Sequence, residues 1–255
     1  MKQNIVEFPE ILDDAAKNAA PIPQLSERAE LSLGDAYEIQ EAAINLRMQR
    51  GEVLSGIKLG FTSKAKMEQM GVHDLIWGRL TDKMEIENHG YLDSKRFIHP
   101  RAEPEVAYLL KKDVDQNVTN DNVLEYVSNV AAAIEIIDSR YKNFKFSLED
   151  VIADNCSSSA YVLGDWKDFS IDASNLEIKM MVNKQLVQSG NSKAILGNPL
   201  NSLLEAFRLA KQYNVDLKKN MIILAGAATP AVYVHKNDVV AVEVEELGKV
   251  TLKVN

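Results

Sequence analysis

The spacing of apolar and polar positions changes character along the chain. Ala36, Ile39, Ala43 and Leu46 recur at helical intervals, which predicts a helix with Ser32 and Asp35 as a capping box and Gly51 beyond its end. After residue 95 the pattern shortens to apolar runs at 106–110, 131–137, 160–163, 176–182, 221–224 and 239–244, each of strand length. The last segments, 239–245 and 249–254, flank Gly248 and predict a hairpin. Between them, Leu200, Leu203, Leu204 and Phe207 predict an amphipathic helix, with Asn198 as its N-cap and Pro199 at its first position. No repeat, low-complexity tract or Gly/Ser linker interrupts the chain, and no glycine-rich nucleotide fingerprint follows a strand. The expected fold class is α+β. A small, mainly helical N-terminal region, 1–78, contributes the strand around Lys58, and a larger mixed-β C-terminal domain, 79–255, carries the candidate metal site.

Composition narrows the function. A net charge of −8 argues against nucleic acid as the main partner, because phosphate binding needs a basic face. An anionic small molecule remains compatible if a metal or local cations reverse the field in the site. The single cysteine, Cys156, permits no internal disulfide and fits a reducing compartment. The first residues show no export signal, and the uncharged run 221–234 is short of the roughly 20 apolar residues that span a bilayer. The expected location is the cytoplasm, with no membrane partner.

The chemistry-bearing segments are strand-like. In an extended Arg101-Ala102-Glu103-Pro104-Glu105 the two glutamates share a face. One reading is a solvated strand end with Arg101 or Lys111 as partners. The other is a pair of inward carboxylates that need a cation between them. Glu135 favours the second, because it is the only charge in the apolar run 131–137, and an unpaired buried charge is costly. Three carboxylates without a patterned histidine suit Mg²⁺ or Mn²⁺ better than zinc. In Gly56-Ile57-Lys58-Leu59-Gly60-Phe61-Thr62-Ser63, Lys58 shares its face with Gly56, Gly60 and Thr62. That pattern predicts an ammonium projecting across open space into a pocket, the alternative being a snorkelling edge lysine. Ser63 is expected to cap a helix over 64–70 whose amides could hold a carboxylate.

These segments together resemble the 2-oxopent-4-enoate hydratase and 4-oxalocrotonate decarboxylase group of the fumarylacetoacetate hydrolase superfamily. The resemblance runs through 56–63, 66–72, 99–105, 136–146, Ala153-Asp154-Asn155, Leu196-Gly197 and Pro199-Leu200, nearly the whole chain. It implies a fumarylacetoacetate hydrolase-like fold and Mg²⁺ on Glu103, Glu105 and Glu135, with Lys58 beside the substrate. It also implies a small anionic 2-oxo acid substrate, a homo-oligomer, and association between decarboxylase and vinylpyruvate hydratase. The stretch Ser139-Arg140-Tyr141-Lys142-Asn143-Phe144-Lys145-Phe146 is closer to the decarboxylases. Asn198 departs from the histidine common there.

Decarboxylation of 2-oxohex-3-enedioate requires an electron sink at the C2 oxygen, which a chelated Mg²⁺ supplies. Lys58 is then the expected catalytic residue, and Thr62, Ser63, Ser158 and Arg140 are candidate substrate contacts. Lys142 and Lys145 are further cations for the second carboxylate, unless the loop carrying them and Arg140 is simply solvated. Ser157 and Ser158 read equally as turn hydroxyls, and Cys156 as a small packed residue. The competing functions are hydration of 2-hydroxypenta-2,4-dienoate, acylpyruvate hydrolysis, for which no His-Glu pair is evident, and non-catalytic binding of a metabolite or partner enzyme.

Overall fold

The computed structural model describes residues 2–62, 74–115, 118–119 and 122–255. The expected Ser63 cap and the helix 64–70 lie outside the described residues.

Two helices open the chain. Helix α1 (Phe8–Asn18) buries Phe8, Leu12 and Ala15 and ends on left-handed Ala19. Helix α2 (Leu33–Gln49) begins at the expected capping box, with the Ser32 hydroxyl accepting from Asp35 N and the Asp35 carboxylate accepting from Ser32 N. Its buried stripe differs from the expected one. It keeps Ala36 and Ile39 and adds Gln40 and Ile44, while Ala43 and Leu46 are half-buried. The reason is polar: the Gln40 amide donates to the carbonyls of Trp77 (3.1 Å) and Ile152 (2.8 Å), so a glutamine occupies a core position fully satisfied.

Among the described residues the strands form two sheets. In chain order they are β1 (Leu54–Gly60), β2 (Ile76–Thr81), β3 (Glu85–Ile86), β4 (Tyr91–Leu92), β5 (Arg101–Leu110), β6 (Val127–Ile137), β7 (Ser158–Leu163), β8 (Lys167–Asp168), β9 (Glu177–Val182), β10 (Gln185–Asn191), β11 (Ile222–Ala227), β12 (Val232–Tyr233), β13 (Val239–Val244) and β14 (Gly248–Val254). The larger sheet runs β2-β1-β11-β5-β6-β7-β3, with β12 also on β5 and β8 on β6. It is mixed, since β1 pairs with β11 in parallel whereas β5 pairs with β11 and β6 antiparallel. The smaller sheet runs β10-β9-β13-β14-β4 and packs through β13 and β14 on β6. Helix α3 (Leu148–Ala153) lies against α2, and helix α4 (Pro199–Gln212) covers β11 and β1. Asn198 caps α4 as expected, its side chain accepting from Leu200 N at 3.0 Å.

The larger sheet runs across residue 78, because β2 spans Ile76–Thr81 and β1 pairs with β11. Lys58 therefore arrives on the same sheet as the glutamates. Gly60 lines the same cavity as Lys58, as the sequence pattern expects, but the Cβ directions of both glycines beside Lys58 are filled. A Cβ on Gly56 would lie 2.1 Å from the Ile222 carbonyl oxygen, and one on Gly60 would lie 2.9 Å from an Ile76 side-chain carbon. Their role is close packing of β1 on its neighbours.

Candidate metal centre and cavity

Strand register brings the three glutamates together. Glu103 on β5 stands directly opposite Glu135 on β6, and Glu105 follows two residues on, so all three point to one face. Their carboxylates each offer an oxygen, and these oxygens lie within 4.8 Å of one another. Glu105 and Glu135 are fully buried and Glu103 is 7% exposed. Lys58 joins them from β1, its Nζ 3.1 Å from Oε2 of Glu135 in a buried ion pair. In the larger sheet β1 and β6 are separated by β11 and β5. A flat sheet would hold such strands about 14 Å apart, so these side chains meet because this face is concave.

Two of the glutamates, Glu105 and Glu135, are held by distinct devices. Strand β11 is irregular between Leu224 and Ala227, where Gly226 at φ +108° turns its N–H onto Oε2 of Glu105 at 2.8 Å. A Cβ on Gly226 would lie 2.3 Å from the Thr62 hydroxyl oxygen, so the glycine also seats Thr62 against the site. Ser158 donates to Oε1 of Glu135 at 2.8 Å. The preceding turn is strained, with Asn155, Cys156 and Ser157 all at φ between 49° and 59°. It is pinned to β2, where the Asn155 side chain pairs with both backbone groups of Arg79 and Cys156 donates to the Trp77 carbonyl.

The electrostatics indicate what the site can hold. Burial, then the charge of Glu135, pushes the Glu105 carboxyl well above its ordinary range. Burial raises Glu135 as well, against the pull of Lys58. Burial opposes the charge on Lys58, yet Glu135, Glu103 and Glu105 outweigh it and hold the amine above the usual lysine range. Oε1 of Glu105 is buried and has no hydrogen-bond partner among the described residues. Three clustered carboxylates, two of them wholly buried and one with an oxygen that has no partner among the described residues, fit a hard divalent cation. Glu103, Glu105 and Glu135 are the residues to hold it.

A cavity of about 600 Å³ opens from this cluster. Lys58, Thr62, Glu103, Arg101, Ser157 and Lys145 provide its polar groups, and Phe61, Ile76, Ile137, Phe144, Phe146 and Pro230 its apolar walls. The Ser157 hydroxyl is buried without a partner among the described residues. Ser158 stands behind Glu135 and is not in the cavity wall. Arg140 is not brought here either. Its guanidinium pairs with Asp154, donates to the Asp154 carbonyl and reaches the Ser159 hydroxyl. Cys156 touches the cavity, but burial pushes its thiol up to about 12, which suits a packed residue and not a nucleophile. Sequence reading assigned Arg101 only as a possible partner of the glutamates; strand alternation alone places it on their face.

The description "Fumarylacetoacetate (FAA) hydrolase C-terminal" matches residues 88–255. A 4-oxalocrotonate decarboxylase from a Pseudomonas species is 48% identical over 240 residues, 94% of each chain. A 2-hydroxyhexa-2,4-dienoate hydratase from Comamonas testosteroni is 32% identical, covering 95% of this chain and 94% of its own. Among solved structures, 4-oxalocrotonate decarboxylase from Pseudomonas putida G7, complexed with magnesium and adipate, superposes with a TM-score of 0.95 at 30% identity, over 100% of this chain and 98% of the other. With the family model covering well over half its length and a relative at this identity, the chain belongs to the fumarylacetoacetate hydrolase family.

Proposed function

We propose that this protein is a Mg²⁺-dependent carboxy-lyase that converts 4-oxalocrotonate (2-oxohex-3-enedioate) to 2-hydroxypenta-2,4-dienoate and CO₂ in the catabolism of aromatic compounds. The observation that carries the reading is the buried Glu103-Glu105-Glu135 cluster with Lys58 at the head of the cavity. It is supported by 48% identity to a decarboxylase over nearly the whole chain.

In this reaction the C5–C6 bond breaks as CO₂ departs. Its electron pair moves through the C3–C4 double bond to the C2 oxygen, which takes up a proton to give the dienol. When bound, Mg²⁺ supplies Lewis acidity toward the 2-oxo and C1 carboxylate oxygens. Lys58, held protonated by the surrounding carboxylates, is the catalytic cation. It donates a hydrogen bond to the oxygen on which charge accumulates, from a position fixed before the reaction begins. Ser158 positions Glu135, and Thr62 and Ser157 offer hydroxyls to the substrate from the cavity wall. The apolar walls keep water from the dienolate.

Hydration is the alternative, because a hydratase relative also covers 94% of its length. Incubation of the purified protein and Mg²⁺ with 4-oxalocrotonate and, separately, with 2-hydroxypenta-2,4-dienoate tests the assignment. CO₂ release from the first, with the second unchanged, is the expected result. Water addition to the second without CO₂ from the first makes the protein a hydratase.

The protein is further proposed to act in the cytoplasm as a homo-oligomer and to associate with a vinylpyruvate hydratase that consumes its product. No described helix is long and apolar enough to cross a membrane. Exposed Leu186 and Val187 on the edge strand β10 offer an apolar contact surface. Sedimentation of the protein alone and mixed with such a hydratase measures both associations.

A further inference from the structure

We infer that Arg101 selects the second carboxylate of the substrate, and so gives the cavity its preference for a dicarboxylate over a 2-oxo monocarboxylate. The inference rests on the proposed reaction for the identity of the substrate, but its evidence is the geometry of this one side chain.

Arg101 opens β5 two residues before Glu103, so it lies on the metal-site face and lines the same cavity. Its guanidinium is gripped between two rings, 3.8 Å from the centroid of Phe144 and 4.2 Å from that of Tyr233. One terminal nitrogen donates to the Tyr233 hydroxyl, while Nε is buried and has no hydrogen-bond partner among the described residues. Among the described residues no carboxylate pairs with it. A guanidinium immobilised by aromatic stacking, with a buried donor left open, is arranged to bind a planar anion. The other cations near this loop are less suited. Arg140 is committed to Asp154, and Lys145 is exposed at the rim.

The spacing also fits. Alternate residues on a strand stand about 7 Å apart, and the six-carbon substrate spans five carbon–carbon bonds, a length of the same order. With its 2-oxo end at the glutamates, its far carboxylate falls at Arg101. This position has a kinetic consequence. The far carboxylate loses its charge on leaving as CO₂, so a cation that holds it favours bound substrate over the transition state. Arg101 is therefore a specificity residue whose loss raises KM and leaves kcat undiminished.

The test is calorimetry with Mg²⁺ present, using 2-oxohexanedioate, which lacks the double bond that decarboxylation needs, and 2-oxohexanoate, which has the same length and one carboxylate. The wild-type protein is expected to prefer the dicarboxylate. Arg101→Met keeps the apolar stem and should weaken the dicarboxylate about tenfold or more, with the monocarboxylate unchanged, so that the preference disappears. Arg101→Lys should retain part of it, which keeps the test available if the methionine variant fails to fold. A preference surviving in Arg101→Met, an equal loss for both ligands, or no preference in the wild type would overturn the inference. A wild-type preference without CO₂ release from 4-oxalocrotonate would instead refute the reaction and leave the subsite standing.

Discussion

Replacing Lys58 by methionine keeps the apolar stem and removes the positive charge that pairs with Glu135 in the carboxylate cluster. The Lys58 side chain is 5% exposed, with its Nζ 3.1 Å from Glu135, whose side chain is fully buried. Two effects follow, with different readouts. The first is on rate. Loss of a preorganised donor at a developing oxyanion typically costs a factor of about 10²–10³, so kcat should fall by two orders of magnitude or more, measured as CO₂ release at saturating substrate and Mg²⁺. The second is on stability. Breaking a buried ion pair by removing one partner costs about 3–5 kcal/mol, and here Glu135 loses the cation paired with it. The metal-free Lys58→Met protein should melt at a lower temperature than wild type. Mg²⁺ should restore more of that loss than it adds to wild type, because the cation now neutralises charges that Lys58 no longer shares. Mg²⁺ affinity should therefore be unchanged or higher. A folded Lys58→Met protein with near-normal turnover would refute the placement of Lys58 at the reacting oxygen.

Other perturbations separate binding from architecture. Glu103→Gln, Glu105→Gln and Glu135→Gln each remove one anionic ligand and should weaken Mg²⁺ roughly tenfold or more by calorimetry; unchanged affinity in all three would remove the metal assignment. Burial raises Glu105 and Glu135 above the ordinary carboxylate range, so the metal-free folded state holds protons there that the unfolded chain has released. Their contribution favours folding below the unfolded carboxylate pKa and is lost as pH rises through the elevated folded values. Mg²⁺ should therefore release protons on binding and stabilise the protein more at the upper end of that window. A binding enthalpy independent of buffer ionisation would contradict this. Arg140→Gln breaks the buried pair with Asp154 and should cost about 3–5 kcal/mol in denaturation, while KM in the folded variant stays near wild type; a raised KM at unchanged stability would return Arg140 to the substrate.

Much of the metal site was legible because it obeys strand alternation. Glu103 and Glu105 two apart, and Glu135 alone in an apolar run, required only that each segment be extended. Their convergence was not legible, because the β5–β6 register and the concavity that brings Lys58 to Glu135 are tertiary facts. The glycines beside Lys58 pointed to a residue that does line the cavity, as Gly60 does, but their Cβ directions are filled by neighbouring backbone and side chain. Strand β2 was missed because Gly78 and Arg79 interrupt its apolar pattern. Both are explained from outside the strand: a Cβ on Gly78 would lie 2.6 Å from the Asn155 carbonyl oxygen, and Arg79 is satisfied by Gln40 and the face of Trp77. Strand β10 is an exposed, largely polar edge with no buried face to betray it. Arg140 and Ser158 read as substrate contacts because a polar side chain near a site gives no sign in sequence of which partner it has taken.

The central claim is that the three buried glutamates serve chemistry through a divalent cation, and chelation tests it most directly. Exhaustive removal of divalent metal should abolish CO₂ release from 4-oxalocrotonate, and Mg²⁺ or Mn²⁺ alone should restore it in the wild type but not in Glu135→Gln. Full CO₂ release from the rigorously metal-free wild-type protein would contradict the account.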